Sequence, residues 1–271
     1  MKGFLGLACT ILTAHGFAVN PLLDGGPIAN AGQFPWHVHV QPVANVGANF
    51  SGILINPSWV LTCAACINKS PDHTLIFGAR NLDLNTEPGR IVKSVAAENV
   101  FIFPDYNPGQ FNERNIALVQ LNEPIPSSPY VDTIGLPDET TVYDNYLGRI
   151  SGFGFAASND TSGTQLLRYT DLEILPDTEC RNLKEGQMCA LVGAEGIGPC
   201  RDEGSALYIV DSEGTARVVG VFSYGYNEGS CPGTKPLFTR VSLYLSWIDS
   251  VINGGTGEIT TPAADEADYE Y

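Results

Sequence analysis

Three histidines lie beyond residue 18, His37, His39 and His73, and they bound the acid–base chemistry open to this chain. Histidine is the side chain whose proton exchange falls near neutral pH. His37 and His39 alternate with Val38 and Val40, so on a strand both point the same way. Two histidines so spaced can begin a metal site. No third ligand accompanies them, and the pattern reads as the exposed face of a strand with no metal. His73 follows Pro71-Asp72 and is expected in a solvated turn. Ser205 has no predicted histidine neighbour to activate its hydroxyl. Cys63-Ala64-Ala65-Cys66 has the spacing of redox and metal sites. With no second such pair in the chain, it reads as a local bridge or as thiols left free and buried.

These residues need elements to hold them. Short apolar, β-branched stretches recur at Trp36–Val40, Ile53–Ile55, Trp59–Thr62, Thr74–Phe77, Ile116–Leu121, Val218–Ser223 and Leu237–Val241. Asn-Pro, Pro-Asp, Pro-Gly and glycine-rich segments separate them, the signature of an all-β sandwich or barrel. Near the end, Val241, Leu243, Leu245, Trp247, Ile248, Val251 and Ile252 form an apolar face around one short helix, which Gly254-Gly255 stops. Residues 254–271 are small, then acidic, and are expected to form a disordered tail.

The chain carries 14 basic and 30 acidic side chains, a net charge of −16. Such a surface repels nucleic acid and anionic membranes, so neither is an expected partner. Met1-Lys2, an apolar run from Gly3 to Thr13 and the small residues of Gly16-Phe17-Ala18 read as a signal peptide over residues 1–18, giving a secreted, extracellular chain. Cys9 leaves with it. Six cysteines remain, an even number that argues for disulfides in that compartment. Sequons begin at Asn49, Asn68 and Asn159, candidate glycosylation sites of a secreted protein.

Gly32-Gln33-Phe34-Pro35-Trp36, Trp59-Val60-Leu61-Thr62 followed by Cys66, Ile116-Ala117-Leu118, Met188-Cys189-Ala190, Ser223-Tyr224-Gly225 and Phe238-Thr239-Arg240-Val241-Ser242 occur in order. Together they resemble the chymotrypsin family of serine proteases from about Leu23 to Ile252. Pro104-Asp105-Tyr106-Asn107 and Phe77-Gly78-Ala79 look like arthropod members. The resemblance implies two six-stranded antiparallel β-barrels with a C-terminal helix, within one domain over 19–253 whose halves meet near residues 130–150.

The family's chemistry needs a serine nucleophile, a histidine base and an aspartate that orients it. By this resemblance the histidine position is Ala65 and the aspartate position is Asn115. The serine position is Gly204 without a gap. With one residue deleted it is Glu203, the alignment that matches more residues, and Asp202 then fits the family aspartate beside the serine. Either alignment leaves no hydroxyl there and sets a carboxylate where oxyanion donors belong, the wrong sign of charge. Pro21-Leu22 precedes Leu23-Asp24-Gly25-Gly26 with no basic residue for an activating cut, and Gly198 would form an uncharged pocket base. The resemblance also pairs Cys180 with Cys189 and Cys200 with Cys231. The second closes a loop long enough to contribute about 3–4 kcal/mol. Phe50 occupies the place of Cys66's family partner, so Cys63 and Cys66 bridge locally or stay free.

The expectation is a catalytically inactive serine protease homologue that acts by protein binding, as cofactor, decoy or regulator of an extracellular protease cascade. No cofactor is implied. The partner would be an extracellular protein, a protease or zymogen with a basic patch. One surface for it is the acidic tail, Asp265, Glu266, Asp268, Tyr269, Glu270 and Tyr271, where the tyrosines are candidates for sulfation. The competing readings are a bulk or structural secreted protein, and a hydrolase with displaced catalytic residues.

Overall fold

The computed structural model describes residues 26–43, 50–67, 72–108, 113–154, 165–193, 196–224 and 235–255. The first half is a seven-stranded antiparallel sheet: β1 (His37–Pro42), β2 (Phe50–Asn56), β3 (Trp59–Thr62), β4 (Asp72–Phe77), β5 (Ile91–Ala96), β6 (Val100–Ile102) and β7 (Ala117–Gln120). Its order is β5-β4-β1-β2-β3-β7-β6. The second half is a closed six-stranded barrel of β8 (Leu147–Gly152), β9 (Arg168–Ile174), β10 (Gln187–Val192), β11 (Ala206–Val210), β12 (Ala216–Tyr224) and β13 (Leu237–Arg240). The six strands expected of each half are thus found in the second, while the barrel-like first half counts seven, the short β6 joining the edge of β7.

Each of the seven apolar stretches picked out by their β-branched content contains a strand or part of one, with Trp36, Ile116, Leu121 and Val241 falling just outside. β3 is buried along its whole length, because one face turns into the first sheet's interior and the other meets neighbouring elements. Inside the closed barrel, Ile150, Leu172, Ile174, Met188, Leu207, Phe222 and Phe238 fill the centre. A larger core runs from the first sheet across to Phe153, Tyr208, Val218 and the C-terminal segment, so the two halves share buried apolar surface.

A single-turn helix α1 (Ala64–Ile67) follows β3, and α2 (Leu245–Ile252) ends the described chain after a 3-10 turn. α2 buries Trp247, Ile248 and Val251. Phe103, just beyond β6, meets Tyr244 and Trp247 edge-on with ring centroids 4.9 and 5.4 Å apart. Such aromatic contacts exceed simple area burial in strength, and they fasten the end of the chain back onto the first half.

The connector between β7 and β8 joins the halves residue by residue. Ile125 and Ile134 donate backbone N–H groups to Pro57 and Leu54 of the first half. The next residue, Gly135, donates to Ala216 and accepts from Val218 of the second.

Candidate functional site

β3 delivers the chain directly into α1, and a disulfide closes that turn. Cys63 and Cys66 are bridged, both buried, with Cα atoms 5.2 Å apart. The Cys66 N–H also donates to the Cys63 sulfur at 3.1 Å. The pair left open in the sequence is therefore a local bridge. It encloses Ala65.

Asn115 comes from the other side, one residue before Ile116 and after Arg114, whose φ of +53° turns the chain sharply. Asn115 is fully buried. Its Oδ1 accepts the Ala65 N–H at 2.8 Å, and its Nδ2 donates to Ser223 Oγ at 2.9 Å. Its backbone carbonyl accepts the Thr239 hydroxyl at 3.0 Å. One neutral amide thus ties α1 to β12, while its backbone ties to β13. Two expected site residues, Ala65 and Asn115, are in direct contact. Ser223 belongs to the Ser223-Tyr224-Gly225 motif, but its bond to the amide has no signal in the sequence.

The segment from Cys200 to Ala206 forms the facing wall. Asp202 is buried. Its Oδ1 accepts the Gly154 N–H at 2.7 Å and its Oδ2 accepts the Cys200 N–H at 2.8 Å. Burial outweighs these bonds and pushes its carboxyl up to about 7. The carboxylate lies so close to the end of β8 that a Cβ on Gly152 would stand 1.9 Å from Oδ1, and one on Gly154 would stand 2.4 Å from Oδ2. Those two glycines make room for it.

Glu203 and Gly204 differ in the space they have. The Glu203 carbonyl accepts the Ser51 N–H of β2 at 2.8 Å. Burial also raises the Glu203 carboxyl, with Arg201 pulling the other way. Gly204 has φ +91°, and a Cβ there would stand 1.9 Å from the Ser51 carbonyl oxygen and 2.7 Å from Thr62 Oγ1. No side chain can project from position 204 without moving β2. Ser205 is fully buried and its hydroxyl has no hydrogen-bond partner.

The histidines lie elsewhere and differ from expectation. His37 and His39 do point the same way, but their face is buried, not exposed. Phe153, which follows β8, covers it, with its ring centroid 5.5 Å from each imidazole. Burial lowers His37 to about 3 and His39 to about 4, with His39 a further positive charge against His37 and Arg90 one against His39. His37 Nδ1 lies 3.2 Å from Ser151 Oγ, and its Nε2 is buried without a partner. His73 is not in a solvated turn. It belongs to β4, opposite Val95 and Pro42, and is 1% exposed. Among the described residues no cluster of three or more histidine, cysteine or acidic side chains could hold a metal.

Cys180 and Cys189 are bridged as expected, with Cα atoms 6.0 Å apart. Cys200 is also disulfide-bonded, and its expected partner Cys231 lies outside the described residues. So do the candidate signal peptide, Leu23–Gly25, Asn49, Asn68, Asn159 and the acidic tail.

Two antiparallel β-barrel-like halves with a site wall between them define the class of chymotrypsin-like folds. A trypsin profile matches residues 23–248, and the chain belongs to the trypsin family. It is 30% identical to melanization protease 1 of Drosophila melanogaster over 83% of this chain and 64% of that protein. It is 30% identical to coagulation factor IX of Oryctolagus cuniculus over 82% of both. Ovochymase of Halocynthia roretzi is 28% identical over 90% of this chain, which spans 16% of that protein. Human heparin binding protein superposes with a TM-score of 0.71 at 25% identity, covering 88% of this chain and 99% of that one.

Proposed function

We propose that this trypsin-family chain is a secreted, non-catalytic protease homologue that acts by binding another protein, as cofactor, decoy or regulator in an extracellular proteolytic cascade. The observation that carries this reading is the Ala65–Asn115 contact at 2.8 Å. By the sequence resemblance, Ala65 stands at the family's base position and Asn115 at its aspartate position, and this contact joins the two. A methyl group cannot take a proton, and a neutral amide cannot stabilise an imidazolium. The lack of space at Gly204 favours Glu203 as the residue at the nucleophile position. A carboxylate there repels a developing oxyanion.

The relatives named for melanization and coagulation support a place in such a cascade. Heparin binding does not carry over from the superposed neighbour, because a net charge of −16 opposes a polyanion.

The Ser151–His37 contact is the one observation that favours a hydrolase with displaced residues. Both groups are buried, and a base held at about 3 is nearly powerless at neutral pH. The test is a fluorophosphonate probe on purified, protease-treated chain. No stoichiometric label is expected. Stoichiometric labelling overturns the non-catalytic reading, and its loss in Ser151→Ala would assign it to the displaced pair.

A further inference from the structure

A short segment at the seam between the halves has two faces, and each meets titratable groups. Ser151 and Gly152 end β8, and Phe153 and Gly154 follow. Ser151 and Phe153 turn toward the first half. Ser151 Oγ lies 3.2 Å from His37 Nδ1, and the Phe153 ring covers both His37 and His39. Gly152 and Gly154 turn the other way. A Cβ on either would strike the Asp202 carboxylate, and the Gly154 N–H donates to Asp202 Oδ1 at 2.7 Å. Successive side-chain positions on an extended backbone alternate in this manner. Residues 151–154 thus form a partition, with the histidines of β1 on one side and the 200–206 wall on the other.

The histidine side is built for neutral rings. His37 and His39 are both buried. An imidazolium carries two N–H donors. For these His37 has Ser151 Oγ at one nitrogen, while its Nε2 is buried without a partner. The flanking strands set uncharged residues opposite the pair: Ile53 and Ser51 on β2, and Ile76 on β4. The charges that bear on the pair are His39 against His37 and Arg90 against His39, both positive.

Two acids are packed nearby. Asp202 is held through Gly154, and the Glu203 carbonyl accepts the Ser51 N–H opposite His39. Burial raises both carboxyls, Asp202 to about 7, so falling pH neutralises them before it charges the histidines. Neither remains an anion when the pair takes up protons. The Gly154–Asp202 bond is by then a neutral one, weaker than a bond to a carboxylate.

We propose that residues 151–154 are an acid-released latch: protonation of His37 and His39 lifts Phe153 off β1, and the same segment withdraws Gly154 from Asp202 and frees the 200–206 wall. The released form exposes both rings to water, where histidine protonates near pH 6.5. Each pH unit below that value multiplies the released form about tenfold for each histidine still neutral in the closed form. The closed form is therefore favoured at neutral pH and gives way as the pH falls toward 4. Release is local, because the connector still bonds Ile134 to Leu54 and Gly135 to Ala216. The latch does not rest on the non-catalytic reading, since none of its contacts involves Ala65 or Asn115.

The test follows the full chain, isotopically labelled, by NMR from about pH 7 to about pH 3.5. The amides of 151–154 and 200–206 are expected to change together below about pH 5, with a steepness above one proton. Those of Phe222 and Phe238, at the centre of the closed barrel, are expected to hold over the same range. His37→Gln with His39→Gln is expected to abolish the transition. Phe153→Ala, which uncovers the rings and leaves both histidines in place, is expected to move it up by about one pH unit or more. If the double variant does not fold, His39→Gln alone is expected to lower the steepness by about one proton, and an unchanged steepness overturns the latch. So does a pair that titrates near 6.5 in the intact fold, a wall that stays unmoved at the acid end, or a wall and barrel centre that change at one pH. None of these outcomes touches the fluorophosphonate result, so the two proposals fail separately.

Discussion

The backbone N–H of Ala65 donates to Oδ1 of Asn115 across 2.8 Å, although the two residues stand fifty positions apart in the chain. The same side chain reaches Ser223 in the second half. Asn115, expected at the family's aspartate position, is therefore a structural joint. Its amide satisfies one donor and one acceptor that would otherwise be buried unpaired.

Asn115→Ala should expose that role. It strands the Ala65 N–H and the Ser223 hydroxyl in the interior, which costs about 3 kcal/mol in total. Urea unfolding should show the drop as a lower midpoint with little change in slope. A loss below about 1 kcal/mol would mean that water or neighbouring groups replace the amide.

Positions 203 and 204 should respond in opposite ways. Gly204→Ala drives a methyl group into the Ser51 carbonyl and forces φ +91° on an alanine, so it should cost more than about 3 kcal/mol or abolish soluble expression. Glu203→Gln removes a carboxyl that burial already disfavours, and should be neutral or stabilising at pH 7. Equal tolerance at both positions would contradict the packing of this wall against β2.

The buried histidines make an acid limb in stability. His37 and His39 are held neutral in the fold, at about 3 and 4, whereas the unfolded chain protonates histidine near pH 6.5. The fold therefore has their full contribution above that value and loses it as the pH falls toward 4 and below. Asp202 works the other way. Raised to about 7, it favours the fold when protonated, so its contribution is lost as pH rises from about 4 to 7. His39→Gln isolates one term. Between pH 4.5 and 6 the slope of stability against pH should fall by one proton, about 1.4 kcal/mol per pH unit. An unchanged slope would mean that His39 is not shielded by Phe153.

The two described bridges should differ in worth. Removing Cys63–Cys66 by alanine substitution opens a very short loop and should cost about 2 kcal/mol, against nearer 3 for the longer Cys180–Cys189 loop. Thermal unfolding of the two double variants would rank them. The reverse order would show that the local bridge does more than shorten the unfolded chain.

Much of the fold was legible in the residues. Trp59–Thr62 reads as a strand and is one, residue for residue, because its β-branched and aromatic side chains suit a buried pleat. What failed was sidedness. Alternation places His37 and His39 together but cannot say which face is covered, and the cover is Phe153, more than a hundred residues away. For His73, Pro71-Asp72 suggested a turn, but strand pairing with β1 and β5 begins at Asp72 and carries the histidine inside. β9 was not picked out because Arg168, Thr170, Asp171 and Glu173 dilute its apolar alternation. At the site, resemblance singled out Ala65 and Asn115 as expectations. Their shared hydrogen bond, and the contacts Asp202 makes with Gly154 and Cys200, depend on chain crossings that no local pattern encodes.

The connector between the halves passes from one to the other in a single step, with Ile134 bonded to β2 and Gly135 to β12. There is no slack strand at the junction on which the halves could swing open like a clam. Severing the backbone between β7 and β8 would leave both ends still stitched to their own sides and the shared core intact. A nicked molecule would hold together as one particle, and whatever docks on this scaffold meets a stiff body rather than a pair of jaws.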